Sequence, residues 1–284
     1  MIPVRALVLT GYGLNCDYET DHSLKLAGAE SRRVHINEFI DGEEWGVRDK
    51  LDHYHILVLG GGFSWADDHG AGVVLASKLK FNMGHQIEQF IGHGKLIIGI
   101  CNGFQALVNL GLLPGFEQNY WDRRVAITYN DSGNFINSWV NLKVNPDSSC
   151  LFTKGLSFLE LPVRHGEGKF YTLEEDIGLL FKNSQVVMQY ADEKGGEANG
   201  QWPINPNGSS ADIAGICDPT GRIFGLMPHP EAFNHFTNHP DWTRKKEELI
   251  RKGQNIGPQK GDGIRIFQNA VEYIKNAIDR GELG

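Results

Sequence analysis

Apolar residues along the 284-residue chain gather into short runs that end on glycine. Val4 to Thr10 is the first, broken at Gly11-Tyr12-Gly13. Helical spacing follows through Leu24 and Leu26 to a stop at Gly28. Arg33 to Ile36 predicts a second strand, and His55-Ile56-Leu57-Val58-Leu59 a third, halted by Gly60-Gly61-Gly62. Ala71 to Ile91 predicts a helix, with a break expected near Asn82 to Gly84. Leu96, Ile97, Ile98 and Ile100 form a β-branched run suited to a buried parallel strand. Phe104, Leu107 and Val108 then recur at helical spacing, with Gly111 placed to end the helix. This β-α-β-α-β order predicts a mostly parallel sheet with helices on both faces. Such sheets bind ligands at the carboxyl ends of their strands, where Gly60 to Gly62 and Cys101 both fall.

The second half changes period. Arg124 to Thr128, Ser138 to Val144, Leu159 to Arg164, Gln185 to Tyr190, Asp212 to Cys217 and Ile223 to Met227 predict strands. Turn residues separate several of them, as at Asn130-Asp131-Ser132-Gly133. Gly195 to Ser210 reads as a polar loop. Ala232 to Gly263 is charged and weakly periodic, a surface excursion with one short helix near Arg244 to Arg251. Phe267, Ala270, Val271, Ile274 and Ala277 mark a closing amphipathic helix.

Composition narrows the classes. A formal net charge of −8 argues against a nucleic-acid-binding surface as the main function. The four cysteines, Cys16, Cys101, Cys150 and Cys217, form no C-x-x-C pair, so spacing suggests neither a zinc site nor a disulfide scaffold. No apolar run has the length of a transmembrane helix, so no membrane partner is expected. A cytoplasmic protein of a reducing compartment is the expectation.

The chemistry centres on Gly99-Ile100-Cys101-Asn102-Gly103. A cysteine at a strand-to-helix turn, with glycine two residues away on each side, has the pattern of a nucleophile elbow. The helix N-terminus behind it favours thiolate, and its free N–H groups suit an oxyanion. The competing reading is a buried structural cysteine. A nucleophile needs a base and the base an orienter. Pro228-His229-Pro230-Glu231 offers both, because residues two apart in an extended stretch share a side. Alone, that tetrapeptide also reads as a proline-rich turn. Gly60-Gly61-Gly62 follows an apolar strand and can bring an N–H close to a ligand. It is a poor phosphate loop, because no Lys-Ser/Thr follows. His235 and His239, spaced i, i+4, read as solvent-exposed rather than metal-binding, and no metal site is expected. His165 and Glu167 read as part of a structural or interface loop, and Cys16, Cys150 and Cys217 as packing residues.

G-I-C-N-G-F-Q-A-L with a downstream P-H-P-E resembles the class I, triad-type glutamine amidotransferases. G-G-F-S, G-L-L-P-G, N-D-S-G-x-F, H-G-E-G-K-F, N-P-N-G-S at Asn205 to Ser209 and M-P-H-P-E are together similar to the glutaminase subunits and domains of phosphoribosylformylglycinamidine synthases. The similarity runs from about Val4 to Glu231. It implies a flavodoxin-like three-layer α/β/α fold with a mostly parallel, mixed central sheet. The chain is then a single domain over 1–284, with the excursion at about 232–263 and the closing helix at about 264–280.

By that resemblance Cys101 is the nucleophile, His229 the base and acid, and Glu231 its orienter. Gly62 and Asn102 would form the oxyanion hole. Gln105, Gly133 and Phe135 would hold L-glutamine. The implied activity is release of ammonia through a glutamyl thioester, passed to an ATP-dependent synthetase subunit in purine biosynthesis. No cofactor is expected on this chain, ATP and Mg belonging to the synthetase. The family's Y-G-D-Y-L-R-A-G is here Trp65 to Gly72 without its arginine, Ala232 replaces the arginine after P-H-P-E, and Ser138 stands where another is usual. A different acceptor, or a docking module that gates a synthetase without hydrolysis, therefore stays open. Asp67, Asp68 and His69 are expected to be available to a partner.

Overall fold

Glycine-terminated apolar runs become the middle of one large sheet. In the computed structural model, which describes residues 2–40, 51–254 and 260–283, the strands are β1 (Arg5–Thr10), β2 (Glu30–His35), β3 (Ile56–Leu59), β4 (Leu96–Ile100), β5 (Ala126–Thr128), β6 (Ile136–Val144), β7 (Phe158–His165), β8 (Lys169–Tyr171), β9 (Val186–Ala191), β10 (Ile213–Cys217) and β11 (Ile223–Leu226). Nine of them pair in the order β2-β1-β3-β4-β11-β10-β9-β6-β7. The first five are mutually parallel. Beyond them pairing is antiparallel, so β10 and β6 alone run against the rest. β5 and β8 form a separate antiparallel ribbon. The sheet is the mixed, mostly parallel one that the sequence predicts.

The helices are α1 (Asp17–Ala27), α2 (Asn37–Ile40), α3 (Val73–Gly92), α4 (Asn102–Leu110), α5 (Glu174–Lys182), α6 (Trp242–Arg251) and α7 (Ile264–Asp279). The β1-α1-β2 and β3-α3-β4 crossovers step along the sheet in opposite directions, so right-handedness puts α1 and α3 on opposite faces. α7 lays its buried stripe of Ile266, Phe267, Ala270, Val271, Ile274 and Ala277 beside α1, while α4 packs with α3. β3, β4 and β11 are buried along their whole length, as strands covered on both faces must be.

Several elements depart from expectation. α3 is unbroken, because Leu79, Met83 and Ile87 carry its buried stripe straight past Asn82 to Gly84. β2 starts at Glu30 rather than Arg33, an edge strand in which only Val34 is fully buried, so its apolar signal is thin. β8 and α5 give no sequence signal of their own. β8 has three residues, and α5 buries only Asp176 and Leu180. Among the described residues no helix is long and apolar enough to cross a membrane.

Within residues 232–254, His239 and Lys245 reach the free edge strand of the sheet. His239 is buried between Trp139 and Phe233 with Nε2 2.8 Å from the Glu160 carboxylate of β7, and Lys245 of α6 pairs with the same carboxylate. His235 is exposed, as expected, but His239 is not. Its imidazole is a pin that covers an edge strand. The remainder of the 232–263 segment at 255–259 lies outside the described residues.

Candidate active site

The sheet order decides which loops meet. β3, β4 and β11 are neighbours, and they lead into Gly60 to Gly62, Cys101 and His229 respectively. Three groups separated by up to 169 positions therefore emerge side by side at one carboxyl edge.

Cys101 follows β4 directly and precedes α4, with φ 50° and ψ −106°. A cysteine in this left-handed region is strained, and strain of this kind is held only where the surroundings over-determine it. Here the Cys101 N–H donates to the Leu226 carbonyl of β11 at 2.8 Å, and its carbonyl accepts the Gln105 N–H at 3.0 Å. The flanking glycines are sterically required. A Cβ at Gly99 would lie 2.6 Å from the Gly103 carbonyl oxygen, and one at Gly103 would overlap the Leu59 carbonyl. The thiol is nearly buried, 3.6 Å from the Arg164 carbonyl oxygen. It lies at the N-terminus of α4, where the Asn102 N–H has no intrahelical acceptor.

His229 and Glu231 are both buried, and His229 Nδ1 is 2.6 Å from Glu231 Oε1. The His229 N–H donates to the Pro162 carbonyl of β7 at 2.8 Å, so the far strand of the sheet curls back to fix this loop. Burial opposes charging the imidazole. The Glu231 carboxylate and the thiols of Cys101 and Cys16 outweigh it and hold His229 well above the ordinary histidine range. Nε2 makes no well-aligned hydrogen bond among the described residues, although both thiols lie close enough to act on the ring.

Cys16 is the residue that sequence reasoning missed. It is half-buried at the start of α1, its thiol raised by burial and by the Glu231 charge against the favourable contact with His229. Its sulfur, a His229 ring nitrogen and a Glu231 oxygen all lie within 4.8 Å of one another. No elbow flags it; only the pairing of β1 with β3 brings it there.

The glycine loop forms the opposite wall. Asn15 and Cys16 N–H groups donate to the Gly61 carbonyl, each at 3.2 Å, and the Phe63 N–H donates to the Gly13 carbonyl at 2.9 Å. The Gly62 N–H takes part in neither link. Gly62 has φ +146°, and a Cβ there would be 2.7 Å from the Asn15 nitrogen. Gly61 lies against the imidazole, its missing Cβ 2.7 Å from His229 Cε1.

Gln105 is buried in the first turn of α4. It donates from Nε2 to the Glu167 carbonyl and accepts at Oε1 from Asn102 Nδ2 at 3.0 Å. Asn102 Nδ2 also donates to Asp67 at 2.8 Å, and Asn102 Oδ1 accepts the Ser64 N–H at 3.2 Å. Asp67 is thus turned inward, while Asp68 and His69 are exposed as expected. Burial, helped by the Glu167 charge, pushes Asp67 up to about 6.

Gly133, at φ +66°, and Phe135, half-exposed with its ring 6.3 Å from that of Phe63, lie on one turn beside the glycine loop. Asn130 ties this turn down. Its side chain bonds the Asn134 and His165 carbonyls, the Gly168 N–H and His165 Nδ1, all at 2.8 to 3.0 Å. Asn207 in turn donates to the Gly168 carbonyl and Tyr190 hydroxyl. The polar stretches at 130–135, 165–170 and 205–209 are therefore one bracket, tied together through buried Asn130, His165 and Asn207 beneath an exposed turn at 131–135. His165 is held neutral, its pKa lowered to about 4 by burial and the neighbouring His229 charge. The Glu167 carboxylate accepts the Ala71 N–H at 3.2 Å. Both have the structural roles expected.

The chain is similar to known proteins over nearly its whole length. The family model described as CobB/CobQ-like glutamine amidotransferase domain matches residues 3–274. The phosphoribosylformylglycinamidine synthase subunit PurQ of Methanococcus maripaludis is 46% identical over 270 residues, 95% of this chain and 97% of that protein. The protein of the same name from Dehalococcoides mccartyi is 44% identical over 277 residues, 97% of this chain and 99% of that one. Among solved structures, a chain of PurLQS from Thermotoga maritima superposes with a TM-score of 0.67 at 29% identity, covering 96% of this chain and all of that one.

Proposed function

The chain belongs to the CobB/CobQ-like glutamine amidotransferase family, and we propose that it is the glutamine-hydrolysing subunit of a phosphoribosylformylglycinamidine synthase. The single observation that carries the chemistry is the buried His229–Glu231 pair at 2.6 Å beside a cysteine strained on an elbow. A carboxylate on Nδ1 fixes the tautomer and favours the imidazolium, which is what a proton-accepting base needs when sulfur becomes the nucleophile.

The Cys101 sulfur attacks the side-chain carboxamide carbon of L-glutamine, and its proton passes to His229. The oxygen that gains charge is received by the N–H groups of Gly62 and Asn102. His229 then protonates the departing nitrogen, ammonia leaves, and a glutamyl thioester remains on Cys101. Water attacks the thioester with His229 again as base, releasing glutamate. Gly133 and Phe135 border the substrate, and Gln105 braces the helix turn behind the nucleophile. An ATP-dependent synthetase receives the ammonia, as the PurLQS assembly of the Thermotoga relative suggests, and ATP with its metal is assigned to that partner.

The test is ammonia release from glutamine by the chain alone and with its cognate synthetase, formylglycinamide ribonucleotide and ATP. Glutamine-dependent amidine formation that vanishes in Cys101→Ala, while added ammonia still supports it, is the expected result. Amidine formation from glutamine with Cys101→Ala would overturn the assignment and leave a docking role.

A further inference from the structure

Cys16 makes and breaks no bond in the proposed hydrolysis, yet it is held against the imidazole that does. We propose that Cys16, His229 and Glu231 form an inhibitory binding site for a thiophilic divalent cation, with Zn2+ as the test case. The inference rests on the preceding reading only for its consequence, inhibition; the binding itself does not depend on it.

The donor set suits such an ion. One sulfur, one imidazole nitrogen and one carboxylate oxygen lie within 4.8 Å of one another. Tetrahedral Zn2+ with bonds of about 2.0 to 2.3 Å spaces its donors by roughly 3.5 Å, so the widest pair must close by at most about 1.3 Å, while His229 Nδ1 and Glu231 Oε1, now 2.6 Å apart, must part by about 1 Å. One donor has spare capacity: Glu231 Oε2 is buried without a hydrogen-bond partner among the described residues, on a side chain 1% exposed, beside the His229 Nδ1 that Oε1 already meets at 2.6 Å. Unpaired buried polar atoms are costly, and coordination relieves that cost. Charge closes as well. Thiolate and carboxylate together neutralise a divalent cation, so the loaded site is neutral in a buried setting. Cys16, half-buried beside exposed Asn15, is the donor nearest solvent. Mg2+ and Ca2+, which prefer oxygen ligands, fit this set poorly.

Binding expels protons. Cys16 bonds as thiolate and releases its proton to solvent, and the imidazole gives up the proton on the nitrogen that bonds the metal. That nitrogen is Nδ1, the one that faces Glu231, so the ion displaces the bond between them and the remaining ring proton stays on Nε2. His229 can then no longer take the Cys101 proton, and water completes the coordination. Glutamine hydrolysis is then blocked reversibly.

The experiment uses the full chain. Zn2+ affinity is measured by competition with a chromophoric chelator, and Co2+ is added separately to read thiolate-to-cobalt absorption. Glutamine hydrolysis is measured in parallel with the synthetase. Expected are one Zn2+ site, a thiolate-to-cobalt band, and inhibition reversed by chelation. Cys16→Ala should lose the band, weaken Zn2+ by roughly tenfold or more, since loss of even an outer-shell partner costs about that much, and leave whatever hydrolysis it retains insensitive to Zn2+ at the concentration that inhibits the parent. Should Cys16→Ala misfold, Cys16→Ser keeps the volume and is read the same way. Zn2+ binding of equal strength in folded variant and parent, or a cobalt band unchanged by the substitution, would overturn the proposal. A Cys16-dependent cobalt band in a chain that never hydrolyses glutamine would support the metal site and sink the glutaminase reading alone.

Discussion

Substituting Gly61 by alanine tests the geometry of the base without removing any polar group. The added Cβ would be 2.7 Å from His229 Cε1, 3.2 Å from Cys16 Sγ and 3.3 Å from His229 Nδ1. Carbon atoms in contact prefer about 3.5 to 4.0 Å, so the ring must retreat by roughly 1 Å. It has little room, being buried and tethered to Glu231 at 2.6 Å. Gly61 is not in the left-handed region, so alanine brings no backbone strain there. Overpacking of this kind costs about 1 to 3 kcal/mol of stability, which a domain of this size survives. The catalytic cost is larger in kind. A displacement of about 1 Å in a catalytic group lowers rates by roughly 10²-fold, or about 2.7 kcal/mol in the barrier. Gly60→Ala is the matched control, because its nearest neighbour would be Thr20 Oγ1 at 4.0 Å. We expect kcat/KM for glutamine, measured with the synthetase present, to fall about a hundredfold in Gly61→Ala and hardly at all in Gly60→Ala. Both should melt cooperatively. If Gly61→Ala hydrolyses glutamine within threefold of the parent, the His229 imidazole is not the base in the position described.

Other outcomes follow from the same geometry. Glu231→Gln removes the carboxylate that raises His229, so the imidazole should titrate at lower pH by NMR and hydrolysis should fall by at most about 10⁴-fold, less than in Cys101→Ala; an unmoved His229 titration would refute the pairing. A glutamine-mimicking alkylator should modify Cys101, with its elbow and helix N-terminus, and peptide mapping that instead finds Cys150 or Cys217 would reject the nucleophile. Asp67 has a folded pKa of about 6 against an ordinary 3.8. The native state therefore binds more protons than the unfolded one between those values, and its contribution to stability is lost as pH rises through that window. Asp67→Asn, which still accepts from Asn102, should flatten the decline in melting temperature between about pH 4 and 6, and an unchanged slope would disprove the inward placement.

The parallel half of the fold was legible because its strands are buried on both faces and end on glycine. β3 and β4 need no partner to be recognised. Cys101 was legible because the glycines its crowded turn requires flank it in sequence, Gly99 against the Gly103 carbonyl and Gly103 against the Leu59 carbonyl. What stayed hidden depends on non-local pairing. α5 buries Asp176 rather than an apolar stripe, its carboxylate 2.7 Å from Arg124 across 52 positions. His239 reads as surface histidine until Trp139 and Phe233 close over it. Cys16 carries no local mark at all, and its place beside His229 is a consequence of strand order alone.

The same distinction explains why polar stretches carry so much of the resemblance. The turn at 130–135 has no regular ladder to hold it, so its backbone groups need side-chain partners. Asn130 supplies them, accepting and donating four times within one buried cluster. Asn207 and Ser209 extend the cluster to Gly168 and Phe170. Each of these groups would cost roughly 1 to 3 kcal/mol if left unpaired in the interior. Removing one strands several others, so the bracket tolerates little change at any member. On the opposite side Asn102 performs the equivalent task, joining the residue after the nucleophile to Ser64, Asp67 and Gln105. The elbow and the turn facing it are thus each set by an asparagine whose amide replaces missing secondary structure, and the two meet through Gln105 and the Glu167 carbonyl. Movement of the 64–72 segment by a docked synthetase would be transmitted to the N–H of Asn102 through its own side chain, which makes that amide the natural point at which assembly could govern hydrolysis.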